Sequence, residues 1–336
     1  MPALGSLVEL SASGLYCAAG DFFIDPWRPV ARAVITHAHA DHARPGSERY
    51  FAERRGVGLL ERRLGSPPIA GLDYGESVRF DQVEVSLHPA GHVLGSSQVR
   101  IAGHGEVWVV SGDFKRQPDP TCAAFEPLAC DVFITEATFA LPVYRWPETA
   151  AVAREVVDWW QGNAARGTPS VLFCYALGKA QRLLAELRDL PSLPVYTHGA
   201  VEAINDVYRA AGVTLPVTER VDDADQDYTR ALILAPPGAA GSTWMRRFGA
   251  ASTGFCSGWM LLRGNRRRRG YDRGFVLSDH ADWPGLIDSI QATGARRVFT
   301  THGQSDLLAR YLRERGVEAA PVATEFDGEG GSDAAL

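Results

Sequence analysis

No two of the five cysteines, Cys17, Cys122, Cys130, Cys174 and Cys256, are spaced as CxxC, and their number is odd. That set suits neither a disulfide framework nor a thiolate zinc site, and it reads as reduced, buried thiols. No apolar run reaches membrane-spanning length, and Met1-Pro2-Ala3-Leu4-Gly5-Ser6 lacks the basic start and apolar centre of a signal peptide. The expectation is a cytoplasmic protein with no membrane partner. An excess of basic charge is also missing, since the 336 residues carry a formal net charge of -6. The average therefore does not announce a polyanion partner, although an acidic protein can gather positive charge locally and let metal ions supply the rest. Hydrophobic residues make up 46% of the chain, enough at this length for one large core or two moderate ones.

What the chain does have is concentrated histidine. The run His37-Ala38-His39-Ala40-Asp41-His42 follows the apolar stretch Ala33-Val34-Ile35-Thr36. Residues i and i+2 of an extended segment point the same way, so His37 and His39 can grip one ion. As the chain turns, Asp41 and His42 come round to face a second. Clustered imidazoles repel once protonated and are costly to bury, and a divalent cation resolves both problems. Ligand types recur downstream where apolar strands meet loops. His92 lies in the glycine-flanked turn Gly91-His92-Val93-Leu94-Gly95-Ser96-Ser97, Asp113 follows Val107-Trp108-Val109-Val110-Ser111-Gly112, and His302 follows Val298-Phe299-Thr300-Thr301.

Periodicity divides the chain into parts. Residues 1–141 carry short strand signals, among them Phe22 to Ile24, Val83 to Leu87, Val107 to Val110 and Val132 to Thr135, which suit one sheet of a sandwich. Residues 142–272 alternate helical and strand patterns and read as an inserted α/β domain. Residues 273–324, opening with a strand from Phe275 to Leu277, return to the first fold, and 325–336 read as a mobile tail.

Three further segments carry a resemblance: Thr135-Glu136-Ala137-Thr138-Phe139, Ser278-Asp279-His280-Ala281-Asp282 and Thr301-His302-Gly303 match motifs A, B and C of the β-CASP nucleases. With the histidine run, the chain resembles a metallo-β-lactamase-fold hydrolase of that branch from about Leu15 to about Arg313. Ala176-Leu177-Gly178-Lys179-Ala180-Gln181 and Ala235-Pro236-Pro237-Gly238 are similar to segments of its inserted domain. The compact length, with Gly14-Leu15-Tyr16-Cys17 and Asp21-Phe22-Phe23-Ile24-Asp25-Pro26-Trp27-Arg28-Pro29, is similar to the bacterial ligase-associated DNA exonucleases.

The resemblance implies an αββα sandwich with an α/β β-CASP insert and two divalent ions, Zn or Mn. It implies that His37, His39 and His92 hold the first ion, that Asp41, His42 and His302 hold the second, and that Asp113 bridges them. Asp41 is also counted with the catalytic set. Asp25 would orient ligands from behind, whereas the residues alone leave it an ordinary strand-ending Asp. His280 would protonate the leaving oxygen, with Glu136 supporting it. Ser96, Ser97, Lys179, Arg246, Arg247, Arg266 and Arg267 are expected at the substrate, with a solvated face as the open alternative for the arginine run. His198 is either a phosphate contact or a plain loop residue. The implied activity is exonuclease action on single-stranded DNA ends in repair, in association with an ATP-dependent DNA ligase and a helicase. An RNA-processing nuclease is the alternative, because eukaryotic DNA-directed relatives usually carry Val at motif C and this chain carries His302, as RNA-directed members do.

Overall fold

In the computed structural model, which describes residues 5–188, 194–222, 226–262 and 270–325, side-chain alternation along each central strand decides the layers. In Glu106–Val110, Trp108 and Val110 enter one hydrophobic core and Val109 the opposite one. In Val132–Glu136, Val132 and Ile134 divide from Phe133 in the same way. A strand apolar on both faces must be covered on both, so these strands lie at the centre of a layered unit.

That unit takes the chain up to Arg145 and resumes at His280. Its first sheet has six strands in chain order: Glu9–Ser11, Gly14–Cys17, Phe22–Ile24, Arg32–Val34, Arg49–Glu53 and Ile69–Leu72. Its second has seven, in the order Glu318–Pro321, Arg297–Thr301, Val132–Glu136, Glu106–Val110, Ser97–Gly103, Val83–Pro89 and Ser77–Phe80. The core between the sheets joins Phe22, Ile24 and Val34 to Val85, Val99, Trp108 and Ile134. On the far face of the second sheet, Val109, Phe133 and Val298 pack on the helices Trp283–Thr293 and Ser305–Arg313 through Leu286, Ile290, Leu308 and Leu312. Each such fully buried side chain contributes about 1.5–3 kcal/mol.

The second unit, Trp146–Asp279, is built on a parallel sheet. The order is Glu219–Arg220, Val195–Thr197, Leu232–Ala235, Ser170–Phe173, Ser252–Cys256 and Arg273–Phe275. Leu172, Leu232 and Leu234 face one apolar core and Val171, Phe173 and Ile233 the other, with the helices Thr149–Ala164 and Lys179–Leu187 contributing to the first core. This corrects one sequence expectation. The strand near Phe275 does not return to the first fold; it pairs with Ser252–Cys256, and Phe275 and Leu277 bury in the insert's core. No helix among the described residues is long and apolar enough to cross a membrane. Of the expected tail only Glu325 is described, paired with Arg28 at 2.6 Å; the rest lies outside the described residues.

Candidate metal centre and acid–base pair

Asp25, His37, His92, Asp113, Glu136 and His302 all sit at or just beyond the C-terminal ends of strands, on one end of the sandwich. The backbone there is specialised. Asp25 and His302 have φ of 44° and 56°, uncommon for non-glycine residues but tolerated best by Asp, Asn and His. Gly303 follows with φ 51°, and a Cβ on it would come within 2.4 Å of the Ala137 oxygen, so only glycine lets the His302 turn close against motif A.

Three imidazoles converge. His39 Nδ1 lies 3.0 Å from His37 Nε2 and 3.0 Å from His92 Nε2. Asp113 Oδ2 is 3.5 Å from His37 Nε2 and 3.8 Å from His92 Nε2. Ligand atoms around a tetrahedral ion with bonds of about 2.0–2.1 Å stand about 3.3 Å apart, so the spacing is that of a ligand cage. Burial holds the His37 pKa well below its ordinary value, with His42 and His92 adding to the effect, and a neutral imidazole is the form that binds metal.

The second set surrounds the other side of Asp113, whose Oδ2 is 3.4 Å from His42 Nε2. His42 Nδ1 donates to Asp25 Oδ2 at 2.7 Å, and Thr36 donates to Asp25 through both its N–H (2.7 Å) and its hydroxyl (2.6 Å). The other ring nitrogen, His42 Nε2, is buried with no hydrogen-bond partner. A buried polar atom left so is costly; with Asp41 Oδ2 3.8 Å away and the His302 ring stacked at 5.4 Å, a divalent cation in place of the proton fits it. Burial alone would lower the His42 pKa, but Asp113, Asp41 and Asp25 outweigh it and raise it well above the ordinary value. The residues present fit a divalent ion at His37, His39, His92 and Asp113, and Asp41, His42 and His302 with Asp113 would be the set to hold a second.

A different pair borders the first cage. His280 Nδ1 is 2.8 Å from Glu136 Oε2, both side chains are buried, and the His280 ring lies 4.8 Å from that of His92. Donor atoms of Asp113, Glu136 and His280 lie within 4.8 Å of one another. Burial would raise the Asp113 pKa, but His42 and His280 hold it well below the usual carboxylate range.

The expected substrate contacts are placed less uniformly. Ser96 and Ser97 are buried. The Ser96 hydroxyl accepts from the His92 and Val93 N–H groups and that of Ser97 donates to the Gly95 oxygen, so both build the His92 turn instead of facing a ligand. Lys179 is buried in the insert, 3.3 Å from Asp279, and Arg182 beside it donates to the Ser278 oxygen. Its charge is committed there, because breaking a buried pair costs roughly 3–5 kcal/mol. Arg246 and Arg247 are exposed, with the Arg247 guanidinium 5.7 Å over Trp244, whose ring meets that of His198 at 4.9 Å. Arg266 and Arg267 lie outside the described residues. Sequence reasoning missed Thr36, which ties Asp25 to the His37 and His42 rings; its place between a strand and the histidine run was the available signal.

Two mixed sheets carrying histidine and aspartate ligands on the loops at one end define the metallo-β-lactamase fold. No family model matches the chain. It is 32% identical over 316 residues to a probable DNA ligase of Opitutus terrae, across 93% of this chain and 31% of that protein. It is 28% identical over 212 residues to a ribonuclease of Thermus thermophilus, across 52% of this chain and 47% of that protein. The chain therefore spans less than half the length of either relative. The crystal structure of a protein of unknown function from Enterococcus faecalis matches with a TM-score of 0.59 over 89% of this chain and 80% of that one, at 12% identity, a likeness of fold alone. With Glu136, His280 and His302 at the positions of motifs A, B and C, the chain is similar to the β-CASP nuclease branch of that fold.

Proposed function

We propose that the protein is a metal-dependent phosphodiesterase acting on DNA, as an exonuclease on single-stranded ends in repair. The observation that carries the hydrolytic reading is the buried Glu136–His280 pair beside a histidine–aspartate cage. Bound ions would supply Lewis acidity at a phosphoryl oxygen and hydroxide near neutral pH. His37, His39, His92, Asp41, His42, His302 and Asp113 would hold them, with Asp25 and Thr36 fixing the His42 tautomer. Glu136 orients His280 by accepting from Nδ1, which leaves Nε2 to protonate the departing oxygen. Arg246 and Arg247, next to the Trp244 face, offer the cation and stacking chemistry that a single strand requires.

The similarity to a probable DNA ligase supports DNA as substrate and action alongside a ligase. A second reading, RNA cleavage, is favoured by His302 at motif C and by the similarity to a ribonuclease. Matched DNA and RNA strands of one sequence, end-labelled on either side and incubated with Zn or Mn, separate the two. Stepwise shortening of DNA alone is expected, and preferential cleavage of RNA would replace the first reading with the second.

A further inference from the structure

Lys115 is fully buried two residues beyond Asp113, and the mechanism above gives it no role. Its ammonium lies 2.5 Å from Asp119 Oδ2 and 3.4 Å from the backbone oxygen of His92. Asp119 is itself held, accepting from the Thr121 N–H at 2.8 Å and hydroxyl at 2.6 Å. The Lys115 N–H donates to the Ala90 oxygen at 3.1 Å, and a Cβ on Gly91 would approach the Lys115 oxygen to 2.6 Å. On the other side of the turn the Ser96 hydroxyl takes the His92 and Val93 N–H groups, at 3.0 and 3.1 Å. The peptide bearing His92 is therefore fixed at both its N–H and its oxygen. A buried ion pair is a poor source of stability, since apolar residues of similar volume serve as well or better. What it does provide is directional restraint.

We propose that the Lys115–Asp119 ion pair is the positioning element of the first metal site, setting the His92 turn so that its imidazole meets those of His37 and His39 before an ion arrives. This rests on reading those three histidines as one ligand set. Loss of an outer partner of a metal ligand typically weakens metal binding 10–100-fold, and the pair acts on His92 through its backbone.

The test is the double substitution Lys115→Met with Asp119→Leu, which removes both charges and leaves neither buried ion without its counter-charge. Thermal unfolding of the metal-free variant should stay cooperative, with a midpoint lowered by loss of the Asp119 acceptor for the Thr121 N–H and hydroxyl. Calorimetric titration should show zinc affinity at one site reduced about 10–100-fold, and amide exchange at residues 91–96 should quicken in the metal-free state. His92→Ala is the control, expected to lose that same site; if it keeps two zinc ions per chain, the ligand set itself is misassigned. If His92→Ala loses an ion while the double variant binds both with unchanged affinity and unchanged exchange, the pair does not position His92 and the proposal fails. Should the double variant not fold, Asp119→Asn carries the same measurement, and retained affinity there overturns the proposal equally.

Discussion

The Glu136 carboxylate holds His280 Nδ1 at 2.8 Å through one oxygen and accepts the Phe114 N–H at 2.7 Å through the other. Phe114 follows Asp113 directly, so one carboxylate ties His280 to the segment that carries Asp113. His280→Ala should keep both ions and lose about 10²- to 10⁴-fold in turnover on a diester with an alkoxide leaving group. An aryl diester, whose leaving group needs no proton, should lose far less. Equal losses on both, or loss of metal, would remove His280 from the acid role.

Asp113 reaches three imidazoles within 3.8 Å. Asp113→Ala should therefore release both ions, which elemental analysis of the purified variant would detect. Two ions retained by a folded variant would show that Asp113 bridges nothing.

Asp25 has φ 44°, a conformation Asn also tolerates, so Asp25→Asn isolates the carboxylate from the backbone. It can no longer accept from the Thr36 N–H, the Thr36 hydroxyl and His42 as a charged group. Zinc affinity at one site should fall about 10–100-fold while the other is retained. A stepwise titration with both affinities unchanged would return Asp25 to an ordinary strand end.

His198 gives a pH dependence remote from the metal ligands in sequence. Burial, with Arg220 and Arg247 adding to it, lowers its pKa, and its Nδ1 must stay unprotonated to accept the Ala200 N–H at 3.1 Å. An unfolded histidine titrates near 6.5. Between that value and the lower folded one the unfolded chain binds the extra proton. The His198 contribution is therefore full above about 6.5 and is lost as pH falls through the folded value. His198→Asn keeps a capping oxygen and does not titrate, so urea unfolding compared across that range should show a shallower pH slope. An unchanged slope would mean that His198 carries no linkage.

The candidate ligands can be picked out in the sequence because each is a local event: an apolar strand ends and a histidine or aspartate follows. The strand candidate Phe22 to Ile24 agrees with the observed bounds for the same reason. Lys179 was not legible as a core residue, since its burial depends on Asp279, a hundred residues away, and a lysine read alone is a surface residue. Nor could the apolar run near Phe275 say which sheet it joins; its neighbour Ser252–Cys256 is chosen by tertiary packing. Ser96 and Ser97 looked like donors to a ligand because serine near glycine does so in many loops, but these two close their own turn.

The sheet order has a consequence for how the molecule is made. Val132–Glu136 lies between Glu106–Val110 and Arg297–Thr301, and Thr301 bonds back to Thr135 across 166 residues. At synthesis rates of about 5–20 residues per second, that central strand waits on the order of ten to thirty seconds for its second neighbour. Loop closure over such a span costs only slightly more than over a shorter one, so the burden is one of time rather than equilibrium. During the wait a strand edge stands open to wrong pairing. A partly synthesised chain already carries His37, His39, His92 and Asp113 but not His302, so the candidate site is completed only when the late strand docks.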